Sequence, residues 1–109
     1  EIYQCDWSSD VCSSDLLLRL TLRAQVAGLR AVVEARRDAA DHYRAGAVAQ
    51  GADIERIARV SYDAGERGIL ELLDAYRLGA ASRVRRVVLD EAVRSAAIEL
   101  AFASGWEMP

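Results

Sequence analysis

Three sets of residues in this 109-residue chain have the types and spacings that chemistry would need. His42, the sole histidine, has Asp41 beside it and Asp38 one helical turn before it. A metal site wants more ligands of matched type, so the bland reading is a solvated imidazole beside a carboxylate. Glu71 and Asp74 are spaced i, i+3 and share a helix face. In one copy they complement a helix dipole, with Asp74 free to pair with Arg77. In several copies around a pore, such carboxylates would form rings that attract cations. Arg83, Arg85, Arg86 and Arg94 give a helix a basic side. Nucleic-acid binding favours an excess of base and stacking aromatics. Aromatics are only 6% here, so a solvated face is expected and nucleic acid is not an expected partner. The chain has no Ser/His/Asp or Cys/His set, no phosphate loop and no dinucleotide-binding glycine run. The expectation is therefore a non-enzyme without cofactor or metal.

The elements that must carry these residues are helices. Apolar residues make up 52% and charged ones 28%, which excludes disorder by composition. The single Pro is the last residue, and Ala, Leu, Arg and Glu dominate from Leu17 onward. That is helix composition, and it argues against sandwiches and barrels that need regular Pro/Gly turns. No apolar run approaches the roughly 18 residues of a membrane-spanning helix. From Leu17 to Tyr62, Val26, Val33, Ala40, Ala47 and Ile54 recur every seven residues. Leu29, Tyr43 and Ile57 follow three residues later, with Arg36 and Gln50 interrupting. This is the seam of a helix lying alongside another. Gly28, Gly46 and Gly51 weaken that helix, and a kink or fray is expected over Gly46–Gly51.

A turn is expected over 63–68, with Gly65 in the left-handed position that ends a helix. Gly68 then caps a second helix over about 69–103, and Glu71 at its third position can reach back to the cap. Ile69, Leu72, Leu73 and Tyr76 begin the apolar face of that helix. Val84, Val88 and Ala92 form one later stripe, and Leu89, Val93, Ala97 and Leu100 another. Two stripes call for contacts on two sides. Ser104-Gly105-Trp106 ends the helix. A short loop makes the two helices antiparallel neighbours. The predicted fold is all-α: one long antiparallel helical hairpin that leaves apolar surface for further helices.

Composition changes abruptly at Leu16/Leu17. Residues 1–16 hold Cys5, Cys12 and four acids (Glu1, Asp6, Asp10, Asp15) but no Arg. Removing them turns the formal charge of −3 into +1 for residues 17–109, which carry all 14 Arg. Residues 6–16, Asp-Trp-Ser-Ser-Asp-Val-Cys-Ser-Ser-Asp-Leu, resemble one reading frame of a common sequencing adapter. Glu1-Ile2 and Cys5 fit the same frame around a short index. The resemblance implies that residues 1–16 are adapter-derived and that residues 17–109 are a fragment of a longer protein. The cysteine spacing fits no standard zinc pattern, and the head has no basic segment of the kind that opens a signal peptide.

The turn carries a second resemblance. Ser61-Tyr-Asp-Ala-Gly-Glu-Arg-Gly-Ile-Leu-Glu-Leu-Leu-Asp-Ala75 resembles the second periplasmic hairpin tip of TolC-family outer-membrane efflux factors. Gly-Ile-Leu-Glu-Leu-Leu-Asp-Ala at 68–75 is most similar to the heavy-metal (CzcC-like) branch. The likeness covers most of residues 17–109, but only the turn is specific. It implies a homotrimer whose helices form a periplasmic α-barrel below a β-barrel in the outer membrane. Its partners would be a periplasmic adaptor and an inner-membrane pump. Tyr62 and Arg67 match positions that hold the tip closed by polar contacts between helices. Gly65 matches the turn that abuts the adaptor, and Glu71 and Asp74 match acidic rings at the aperture. Two departures stand out: Gly68 replaces the common Ser/Thr cap, and Glu71 is longer than the Asp of some members. The membrane strands and first repeat of the family are not in this sequence. The rival expectations are the coiled-coil hairpin of a periplasmic adaptor and a soluble helical interaction module.

Overall fold

The structure, a computed structural model, describes residues 2–105. Its elements are α1 (Ile2–Tyr43), a π-helical turn (Arg44–Val48), α2 (Ala49–Asp63) and α3 (Ile69–Ala103). The fold is all-α, as the composition predicts. Glu1 and Trp106 lie outside the described residues, as do the side chains of Cys5, Asp6 and Asp10. Among the described residues no helix is long and apolar enough to cross a membrane.

Two expectations about the first helix change. It starts at Ile2 rather than near Leu17, so the head is helical. Extending a nucleated helix costs little per residue, and an Asp15–Arg19 ion pair of 2.9 Å spans Leu16/Leu17. The kink or fray expected at Gly46–Gly51 is instead a π-helical turn over Arg44–Val48. The helix keeps going but takes up one extra residue there.

The chain divides into two compact units, one formed by the segments up to Val33 and from Ala96 onward, the other by Glu34–Ser95. Glu34–Ser95 is a helical hairpin. Arg36 Nη1 donates to the Ala92 carbonyl at 3.0 Å, Arg44 meets Asp90 at 3.0 Å, and Arg83 meets Glu55 at 2.9 Å. Arg59 Nη1 donates to Tyr76 Oη at 3.4 Å. As one partner's number rises the other's falls, so the arms run antiparallel. The α3 seam is Leu72, Ala75, Gly79, Ser82, Leu89 and Val93, spaced by three and four apart from one step of seven between Ser82 and Leu89. Opposite it lie Ala40, Tyr43 and Ala47 before or within the π turn, and Gly51, Glu55 and Ala58 after it.

That last set corrects the predicted seam. Gln50 is exposed, and Ile54 and Ile57, expected to face the partner helix, are 42% and 55% exposed. Each has given its place to the next residue. A π turn takes one residue more than an α turn, and one residue is about 100° of rotation. The heptad therefore slips by one beyond Val48. Small residues fill the slipped seam. A Cβ on Gly51 would lie 3.1 Å from Ser82 Oγ and 3.8 Å from Gly79 Cα. A Cβ on Gly79 would collide with the Glu55 carboxyl group. Ser82 is buried, and its hydroxyl donates to the Gly79 carbonyl at 2.8 Å.

In the other unit, Val33 and Ala96 are buried, while Val26, Leu29, Ala97 and Leu100 are half-buried. Leu16, Leu17, Leu18 and Leu20 are exposed, and so is Phe102 at 87%. α3 ends at Ala103, and Gly105 adopts φ +77° with its N–H on the Phe102 carbonyl at 3.1 Å. Of the two α3 stripes, Leu89 and Val93 turn inward in the hairpin, whereas Val84 and Val88 stay exposed. The surplus apolar face expected from the sequence is present.

Candidate functional site

The turn between α2 and α3 is built from its backbone outward. Gly65 has φ +75°, a conformation that costs any residue with a Cβ. From there its N–H bonds the Tyr62 carbonyl at 2.9 Å, and the Glu66 N–H bonds the Ser61 carbonyl at 2.9 Å. These two bonds are the Schellman closure of a helix end, and they satisfy carbonyls that α2 would otherwise leave open. Gly68 is the N-cap of α3, its carbonyl accepting from the Leu72 N–H at 3.4 Å. Glu71 lies in the first turn of α3, as expected. Its carboxylate does not reach back to the cap: Glu71 Oε2 lies 3.6 Å from Arg67 Nη1.

The turn brings three of the five candidate residues to one place. Arg67, Glu71 and Asp74 line an open groove of about 310 Å³ together with Ile54, Ile57, Ala58, Ala75 and Leu78. The groove has an apolar floor, left free by the slipped register, and a charged rim. Asp74 also pairs with Arg77 at 3.4 Å, the local pairing its spacing allowed. Gly65 sits at the turn. Tyr62, in the last turn of α2, is 39% exposed and makes no side-chain hydrogen bond among the described residues. Within this single chain the polar links between the arms are therefore not those of Tyr62 and Arg67. Among the described residues they are Arg36–Ala92, Arg44–Asp90, Arg59–Tyr76 and Arg83–Glu55, and sequence reasoning missed them as a set.

Glu55 is the least expected member. Its side chain is 17% exposed and lies over Gly79, where the missing Cβ leaves room for the carboxylate. The small pair Gly79 and Ser82 at i, i+3 is a readable signal of close helix approach. It points nowhere, however, until the register of α2 is known. Arg83, grouped by sequence with a solvated basic face, instead holds Glu55 across the hairpin. Arg86 and Arg44 both reach Asp90, at 3.6 and 3.0 Å, and Arg44 also reaches Asp41 at 3.1 Å. Arg94 joins Arg37, Arg44, Asp41 and Asp90 around a second, polar groove. Asp41 thus serves Arg44. His42 and Asp38 are exposed and make no ion pair among the described residues. Among those residues, no three His, Cys, Asp or Glu side chains gather where they could hold a metal.

The arrangement presents a charged rim over an apolar floor. Comparison with known proteins returns no match: no family model, no curated protein and no solved structure is similar to this chain.

Proposed function

We propose that residues 17–109 are the C-terminal hairpin repeat of an outer-membrane efflux channel subunit of the TolC family, in its heavy-metal branch. Residues 1–16 are then translated adapter and no part of that protein. In this reading three copies surround a passive conduit, and an inner-membrane pump supplies the energy. A periplasmic adaptor meets the turn at Gly65. Glu71 and Asp74 face the aperture, and Tyr62 and Arg67 make their tip-closing contacts between helices of the assembled trimer.

One observation carries the reading. The turn closed on Gly65 sets Arg67, Glu71 and Asp74 around a single groove at the end of a helical hairpin. A basic residue next to two acidic ones, repeated by symmetry, can be switched between a closed ion-paired ring and an open anionic one. The Arg67–Glu71 pair is exposed and weak enough to exchange partners on assembly.

Sequencing the source DNA across the Leu16/Leu17 junction tests the reading at its root. The expected result is that the adapter codons vanish and upstream codons give a signal peptide, a similar hairpin and alternating strand segments. Lipoyl-like upstream sequence would assign the hairpin to an adaptor, and a genuinely encoded head would leave only a helical module. In the full-length protein, Arg67→Glu should raise single-channel conductance by removing the closing charge. Unchanged conductance and unchanged metal tolerance would count against tip gating.

A further inference from the structure

The sequence and the structure disagree about which face of α2 meets α3, and each version has a coherent set of contacts. In the observed register Gly51, Glu55 and Ala58 face α3. Gly51 approaches Gly79 and Ser82 closely, and Glu55 meets Arg83 at 2.9 Å. In the uninterrupted heptad Gln50, Ile54 and Ile57 would occupy those places. That register would take two exposed Ile side chains out of water. It would also lift the Glu55 carboxylate out of the space above Gly79.

We propose that α2 has two registers against α3, and that Glu55 seated over Gly79 holds the one seen here. The π-helical turn at Arg44–Val48 stores the extra residue. Such a turn is a defect that can move along a helix, and each residue it passes rotates by about 100°. Displaced toward the 64–68 turn, it would put each α2 residue where its successor now stands. Turns of this kind occur as single bulges at functional sites, where packed helices have two discrete arrangements rather than a continuum.

The register decides what the groove beside Arg67, Glu71 and Asp74 offers. At present its α2 lining is Ile54, Ile57 and Ala58. After the slip it would be Asp53, Arg56 and Ile57. Asp53 and Arg56 now pair with each other at 3.3 Å on the exposed side of α2. The groove floor thus alternates between apolar and charged, while Glu71 and Asp74 stay fixed on α3. The switch belongs to the hairpin itself and does not depend on the transport reading.

The test is thiol alkylation of the full chain carrying Cys5→Ser and Cys12→Ser, with one new cysteine at a time, Ala58→Cys or Ile57→Cys. Position 58 is half-buried and position 57 exposed, so a thiol at 57 should react faster than one at 58. Gly79→Ala fills the space under the Glu55 carboxylate with a methyl group and favours the α3 helix. Deleting Gly46 removes the stored residue and leaves Gly51, Glu55 and Ala58 on the seam, so it fixes the register seen here. With Gly79→Ala the rates should move in opposite directions, faster at position 58 and slower at position 57, by about tenfold or more, whereas with Gly46 deleted they should stay where they are. Unfolding or fraying would speed both. If Gly79→Ala leaves both rates unchanged or raises both, or if deleting Gly46 speeds position 58 and slows position 57, the proposal is overturned.

Discussion

The turn at 63–68 and the π-helical turn at 44–48 lie in the same hairpin, and both depart from straight α-helix. They differ in where their instructions are written. Gly65 adopts φ +75° because its own lack of a Cβ allows it, and its two closing bonds go to residues three and five positions back. Everything the 63–68 turn needs lies within a few residues. The π turn has a short, glycine-containing sequence, Arg-Ala-Gly-Ala-Val, but none of these residues demands an extra backbone position. What fixes it is the fit of Gly51 and Glu55 against Gly79, Ser82 and Arg83, about thirty residues away. A local signal can be read from sequence; a register set by distant packing cannot.

Substitutions can break that contrast or sharpen it. The largest effect belongs to Gly51→Leu, which forces a side chain into the approach to Ser82 and should cost about 2 kcal/mol. A chemical denaturation curve that does not move would mean α2 is not held at Gly51. At the local turn, Gly65→Ala should cost about 1–2 kcal/mol from backbone strain alone, since nothing lies within 4 Å of its added Cβ. Gly65→Asn should recover part of that loss in the same denaturation assay. Gly28→Ala reverses the sign. Its Cβ meets nothing within 4 Å in a regular helix, so it should add about 0.5–1 kcal/mol and raise the melting temperature. The smallest change is expected from Arg77→Gln, which removes an exposed i, i+3 pair with Asp74. It should cost no more than about 0.5 kcal/mol in a denaturation curve, and the difference from the parent should shrink further at high salt.

Helix composition, the hairpin, the Gly65 cap and the first-turn place of Glu71 were all legible in the sequence, because each follows from propensity or capping within one stretch of chain. The grouping of Arg67, Glu71 and Asp74 on one groove follows from the same turn. Its floor does not: Ile54 and Ile57 lie there only because the π turn removed them from the seam. Periodicity counts residues and assumes an α-helical rise, so a single extra residue defeats it without leaving a mark in composition. The helical head shows another limit. Residues 1–16 are set apart by their resemblance to an adapter, yet residues 2–16 continue a strong helix that has already met the cost of nucleation.

The most deeply buried positions of each unit are held by small or medium side chains. Among the described residues the buried apolar ones are Val33 and Ala96 in one unit and Ala40 and Ala75 in the other, and no large side chain is fully enclosed. Heat capacity on unfolding follows the apolar area that is newly wetted, and so does the steepness of denaturation. Interlocked Ala and Gly bring two backbones close while hiding little hydrocarbon. A single chain of this kind would therefore have a flat stability curve and a broad calorimetric transition. The transition would sharpen only when another surface covers the exposed Leu, Ile and Val side chains.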